Sequence, residues 1–136
     1  MLAIVLTIAL AQPPEALPVE RYQWHDADTA VGAGVRLPYG VLLEGVIRAA
    51  DYDAWELGSR GGQSVDDAER MRGKKAVEEL RTLTEGGRLY IVPVPPGTRD
   101  SFGRLVGRFY VRRASGEVVD VRQWAVANGH VRKGGK

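Results

Sequence analysis

The stretch Val41-Leu42-Leu43-Glu44-Gly45-Val46-Ile47-Arg48-Ala49-Ala50-Asp51-Tyr52-Asp53-Ala54-Trp55-Glu56 opens as an apolar run and ends in a cation and three acids. The Val, Leu and Ile content of Val41 to Ala50 predicts a strand. Burying an unpaired carboxylate is expensive, so acids gathered at a strand end have a use there. Arg48 stands five residues before Asp53 and eight before Glu56. While the strand stays regular, Arg48 and Ala50 point away from Asp51 and Asp53. A turn after Asp53 would bring Glu56 back towards Arg48. The segment reads as a metal and phosphate site at the end of a strand.

Upstream, Val19 to Trp24 and Thr29 to Leu37 are strand candidates on either side of the polar corner His25-Asp26-Ala27-Asp28. Pro38-Tyr39-Gly40 then turns the chain into Val41, completing a three-stranded antiparallel meander. Downstream, Leu57 to Gln63 with three glycines is a loop. Ser64 with Asp67 three residues later predicts a capping box that opens one long helix. Its apolar face is read through Ala68, Met71 or Arg72, Lys75 or Ala76, Leu80 and Leu83, with Gly86-Gly87 as its stop. Leu89 to Val94 is a fourth strand, ended by Pro95-Pro96-Gly97, and Val106 to Arg112 a fifth. A short strand at Val118 to Val121 and a helix from Arg122 to Asn128 close the pattern before Gly129. The predicted fold is mainly β: a five-stranded OB-type barrel, a long helix between strands 3 and 4, and a short closing helix.

At 136 residues the chain is one domain, expected over residues 19–132 and followed by a disordered tail, residues 133–136. A net charge of +2 and a pI near 9.1 permit a polyanionic partner. The absence of cysteine excludes disulfides and thiolate sites, and His25 and His130 lie too far apart for a usual zinc spacing. Any metal site must therefore be oxygen-rich. Met1 to Ala11 is apolar, too short to span a bilayer, and ends in Ala9-Leu10-Ala11 like a cleavage site. Residues 1–18 are therefore read as a signal peptide and proline-rich linker, with secretion or a periplasmic place as the expectation. An N-terminal element packed on the domain, in a cytoplasmic or membrane-anchored protein, is the alternative.

Three charged islands occur in order: Asp26-Ala27-Asp28-Thr29, Arg48 through Glu56, and Asp100-Ser101-Phe102-Gly103-Arg104. Here the chain resembles the staphylococcal nuclease (thermonuclease) family, whose motifs run D-G-D-T, R-L-L-x-x-D-x-P-E and D-x-[YF]-G-R. Val121 to Gly129 is similar to the family's closing V-x-x-x-[LW]-[VA]-x-x-G element. The resemblance covers roughly residues 19–131 and implies the same barrel. It also implies a calcium-dependent endonuclease of low sequence specificity, acting on DNA or RNA as a monomer and leaving 3′-phosphorylated products. Asp28 and Asp53 would be calcium ligands together with the Ala54 backbone carbonyl, where the family has threonine. Arg48 and Arg104 would bind phosphate, and Glu56 would position or deprotonate the attacking water.

The departures are specific. Ala27 replaces glycine, so that corner must avoid positive φ. Trp55 replaces proline and is read as packing under the loop, with base stacking as the alternative. Ser101 stands where lysine is frequent, Phe102 keeps an aromatic able to stack on a base, and the family's third C-terminal helix has no counterpart. Asp26 is read as a turn residue and Asp51 as a solvated or ion-paired bystander. Arg108, Arg112 and Arg113 are read as an exposed strand face, with a continued phosphate track as the alternative. The competing functional class is an OB-fold module that binds nucleic acid or protein without turnover.

Overall fold

Three strands form the expected meander: β1 (Leu17–Asp26), β2 (Thr29–Arg36) and β3 (Leu42–Ala49). Thr29 pairs with Arg48 and Ala30 with Ile47 across β2 and β3. In a computed structural model, residues 15–57, 66–94 and 103–132 of the chain are described. The apolar N-terminal run, the glycine loop after Leu57, Ser64, the segment Pro95 to Phe102 and the tail lie outside them.

Two further strands, β4 (Arg88–Pro93) and β5 (Leu105–Arg112), close the sheet. Strand β4 pairs antiparallel with both β1 and β5, and β5 returns parallel to β3 through Ile47↔Leu105 and Ala49↔Gly107. This five-stranded mixed barrel is OB-like, as the element order predicts. A sixth strand, β6 (Val118–Asp120), extends β5 outside the barrel. Alternation along β5 shows why the chain adopts it. Leu105, Phe109 and Val111 face the core, while Arg108 and Arg112 are exposed. Trp24 meets Phe109 edge-on inside, with centroids 5.6 Å apart.

Helix α1 (Asp67–Thr84) begins later than the Ser64 box predicts. Asp66 is its N-cap, its carboxylate accepting from the Glu69 backbone N–H at 2.7 Å. The buried face is also rotated from expectation. Gly73, Ala76, Val77, Leu80 and Leu83 are buried, whereas Ala68 and Met71 are exposed. Gly73 explains the rotation. A Cβ there would lie about 3.0 Å from the Trp55 and Glu56 carbonyl oxygens, so this turn of α1 is the seat of the segment after β3.

Helix α2 (Val121–Ala127) is capped by Asp120, whose carboxylate accepts from the Gln123 N–H at 3.2 Å. His130 is buried beside α2, with Nε2 3.2 Å from Glu79 Oε2 of α1 and its ring tilted against Trp124. Val131 then forms an isolated bridge with Ala54, and the Arg132 N–H donates to the Asp53 carbonyl at 2.8 Å. The end of the described chain thus lies against the segment read as the site.

Candidate functional site

The chain leaves β3 by bending at Ala50 and Asp51, earlier than the turn expected after Asp53. The exit is held by two backbone bonds of 2.8 Å, Ala49 N–H to the Asp28 carbonyl and Ala50 N–H to the Gly107 carbonyl. The early bend returns Asp53 to Arg48, which strand parity alone would separate. The Arg48 guanidinium donates to Asp53 Oδ1, and the same nitrogen lies 3.5 Å from Asp28 Oδ2. Its other terminal nitrogen donates to the Ala49 carbonyl at 2.8 Å and the Tyr52 carbonyl at 3.4 Å. Burial alone would lower the Arg48 pKa, but the Asp28, Asp53 and Glu56 carboxylates outweigh it and raise it.

Asp28 is buried at 3% exposure and committed at both oxygens. Oδ2 accepts from the Ala54 N–H and Oδ1 from the Thr29 hydroxyl, each at 2.8 Å. Asp28 therefore ties the β1–β2 corner to the segment after β3. The corner meets the condition set by Ala27, which has no positive φ. The Ala27 carbonyl accepts from the Tyr52 hydroxyl at 2.7 Å. Tyr52 is fully buried, and desolvation pushes its hydroxyl well above the usual tyrosine value.

Arg104 stands just before β5, the strand that pairs with β3. Gly103 before it has φ +78°, a conformation that glycine adopts without a Cβ penalty. Arg104 and Arg48 line one pocket of about 170 Å³ with Ala49, Ala50, Tyr52, Asp53 and Val106. The parallel β3–β5 closure, which pairs Arg48 with Val106, is what brings the two arginines together. A larger cleft of about 560 Å³ lies between β1 and the end of α1, lined by Tyr22, Gln23, Trp24, Arg81, Thr84 and Glu85. Among the described residues, none of the predicted site residues lines it. Of the predicted charged set, Arg48, Asp53 and Arg104 line the smaller pocket, and Asp28 and Glu56 are not in its lining.

Glu56 stands apart from that lining. Its side chain lowers the pKa of Asp26 against the effect of burial, its N–H donates to Glu69 Oε2 at 3.1 Å, and its charge acts on Arg48. Asp26 is no simple turn residue. It is 6% exposed, accepts from the Leu57 N–H at 3.3 Å, and has its pKa raised. Burial is the main cause, with the Asp28 charge adding to it and His25 and Glu56 opposing it. Asp26 and Tyr52 are the site residues that sequence reasoning missed. The signal for Asp26 was its parity with buried Trp24 on β1; for Tyr52 there was none.

Trp55 is packed. Its indole N–H donates to the Gly129 carbonyl at 3.1 Å, and the Arg72 guanidinium lies 4.8 Å above its ring. The Asp51 carboxylate feels the charges of Asp120, Arg122 and Arg108, and its pKa is raised chiefly by burial. Phe102 lies outside the described residues. No family model matches the chain, and no curated protein matches it.

The carboxylates of Asp28 and Asp53 converge on one cationic nitrogen, so two hard oxygen donors share a neighbourhood suited to a cation. Among the described residues, no group of three or more His, Asp or Glu is placed to hold a metal ion. An oxygen-preferring ion here would need carbonyl and water ligands beyond these two carboxylates.

Proposed function

We propose that this protein is a calcium-dependent phosphodiesterase that hydrolyses DNA or RNA with little sequence preference. The observation that carries this reading is the single pocket in which Arg48 and Arg104 meet beside Asp53. Two guanidiniums around one small space suit one phosphate: Arg104 as a hydrogen-bonding fork, and Arg48 chiefly as charge, its terminal nitrogens being held by Asp53, Ala49 and Tyr52. As water attacks in line, negative charge grows on the equatorial oxygens, and fixed donors aimed there stabilise the transition state.

Asp28, Asp53 and the Ala54 carbonyl would hold the calcium ion, which when bound supplies charge neutralisation and orients the phosphate. Asp28 also fixes the Ala54 backbone through its accepted N–H, so metal and loop geometry depend on one side chain. Glu56 is the general base of this reading. Glu69 holds its backbone, the Glu69 carboxylate accepting from the Glu56 N–H. The order of the three charged islands and their resemblance to the thermonuclease motifs support the same assignment.

The test is incubation of plasmid and total RNA with wild type in millimolar calcium, with EDTA, and with Glu56→Ala. The proposal expects degradation of both in calcium only, and a loss on the order of 10² or more in Glu56→Ala. Intact nucleic acid in calcium, despite measurable binding, would assign the chain to the non-catalytic module class instead.

A further inference from the structure

The wall of the pocket continues into a surface that phosphodiester hydrolysis alone does not require. Alternation along β5 puts Val106, Arg108, Tyr110 and Arg112 on the outer face, and Val106 itself lines the pocket. In the register of β4, Tyr90 pairs with Tyr110 and Arg88 with Arg112, so the two strands carry tyrosines and arginines side by side. Arg88, Arg108 and Arg112 are exposed, and both tyrosines are half-buried, each presenting part of its side chain to solvent.

Acids border this face as well. Asp51, Asp120 and Glu15 act on Tyr110, and Glu20 lies near Arg88. Asp120 is engaged as the cap of α2, and Glu20 is gripped by Arg36 through two bonds of 2.9 Å. The arginines are thus the long, exposed side chains of the face. Interleaved guanidiniums and aromatic rings match a strand of phosphates and unpaired bases: forks for the first, flat surfaces for the second. A duplex hides the base faces that tyrosines would use.

We propose that the outer face of β4 and β5 is a track for single-stranded nucleic acid leading out of the Arg48–Arg104 pocket. Tyr110 and Tyr90 stack on bases, and Arg108 and Arg112 hold phosphates. The choice of ligand rests on the phosphodiesterase reading of the pocket.

The experiment is fluorescence anisotropy of a labelled oligodeoxythymidylate in EDTA over a salt series. It compares wild type, Arg108→Glu with Arg112→Glu, Tyr110→Ala, and a control, Lys74→Glu with Lys75→Glu. The control makes the same change in net charge on the exposed surface of α1. Thermal melts verify folding, and Arg108→Gln with Arg112→Gln replaces the reversal pair if that pair unfolds. The track predicts that the arginine pair weakens binding at least about tenfold. It also flattens the salt slope by roughly 1.4, from two phosphate contacts at about 0.7 each. Tyr110→Ala weakens binding roughly tenfold as well. Equal weakening by the lysine control, no oligonucleotide binding at low salt, or competition by polyglutamate as effective as by unlabelled oligonucleotide would overturn the proposal. The readout involves no turnover, so failure of the hydrolase reading and failure of this track are separate results.

Discussion

The Arg48 guanidinium and the Asp53 carboxylate are hydrogen-bonded although strand parity would set them on opposite faces, because the chain bends at Ala50 and Asp51. The same nitrogen serves Asp28, whose side chain is only 5% exposed. Arg48→Met keeps much of the aliphatic stem and leaves both acids without their cation. It should lower stability on the order of 3 kcal/mol, the low end for a broken buried pair. If the two carboxylates accept calcium, millimolar calcium raises the Tm of this variant more than that of wild type. Melts with calcium and with EDTA decide it; an unmoved variant would contradict the assignment of Asp28 and Asp53 to metal.

Tyr52→Phe removes the donor to the Ala27 carbonyl while keeping the buried ring. The carbonyl is left in a dry environment, so the expected loss is about 1–3 kcal/mol, read from denaturant midpoints. An unchanged midpoint would mean that water reaches the β1–β2 corner.

Trp55 decides how firmly the Glu56 segment is held. Trp55→Phe loses the bond to Gly129 and keeps a ring beneath Arg72, for a loss of about 1 kcal/mol. Trp55→Ala loses both, for about 3 kcal/mol. In a nucleolytic assay, kcat should fall in the same order with KM nearly constant, since the residue positions the base. A change confined to KM would instead assign Trp55 to substrate stacking.

Burial pushes the Tyr22 hydroxyl above its ordinary value of 10.0, against a hydrogen bond with Thr84. A folded pKa above the unfolded one means the contribution is complete below the unfolded pKa and is lost as pH rises through the folded one. The stability of wild type relative to Tyr22→Phe should therefore be constant up to about pH 9 and fall as pH rises above about 10, the ordinary tyrosine value. A difference constant across that interval would contradict the shift.

The barrel was legible from its order of apolar runs and turns, with clean alternation in β5, where Leu105, Phe109 and Val111 stand against Arg108 and Arg112. The start of α1 was misplaced because two overlapping boxes compete, Ser64 with Asp67 and Asp66 with Glu69. Their spacing is identical, and only the observed cap bond chooses between them. The rotation of α1 was not legible either, since the seat at Gly73 is a contact with a segment far away in sequence. Within the site, residue types pointed to the charged set, but strand parity separated Arg48 from Asp53. The bend that reunites them depends on bonds to Asp28 and Gly107, which no local pattern reveals. Asp26 was discounted by its turn-forming residue type, although its place two residues after Trp24 made it inward-facing.

The most direct measurement is single-turnover cleavage of a short oligonucleotide by Arg104→Ala in saturating calcium, with its Tm checked against wild type. Two arginines acting on one phosphate predict a fall in rate on the order of 10² to 10³, as for loss of one preorganised donor. A folded Arg104→Ala protein that cuts at the wild-type rate would contradict the account.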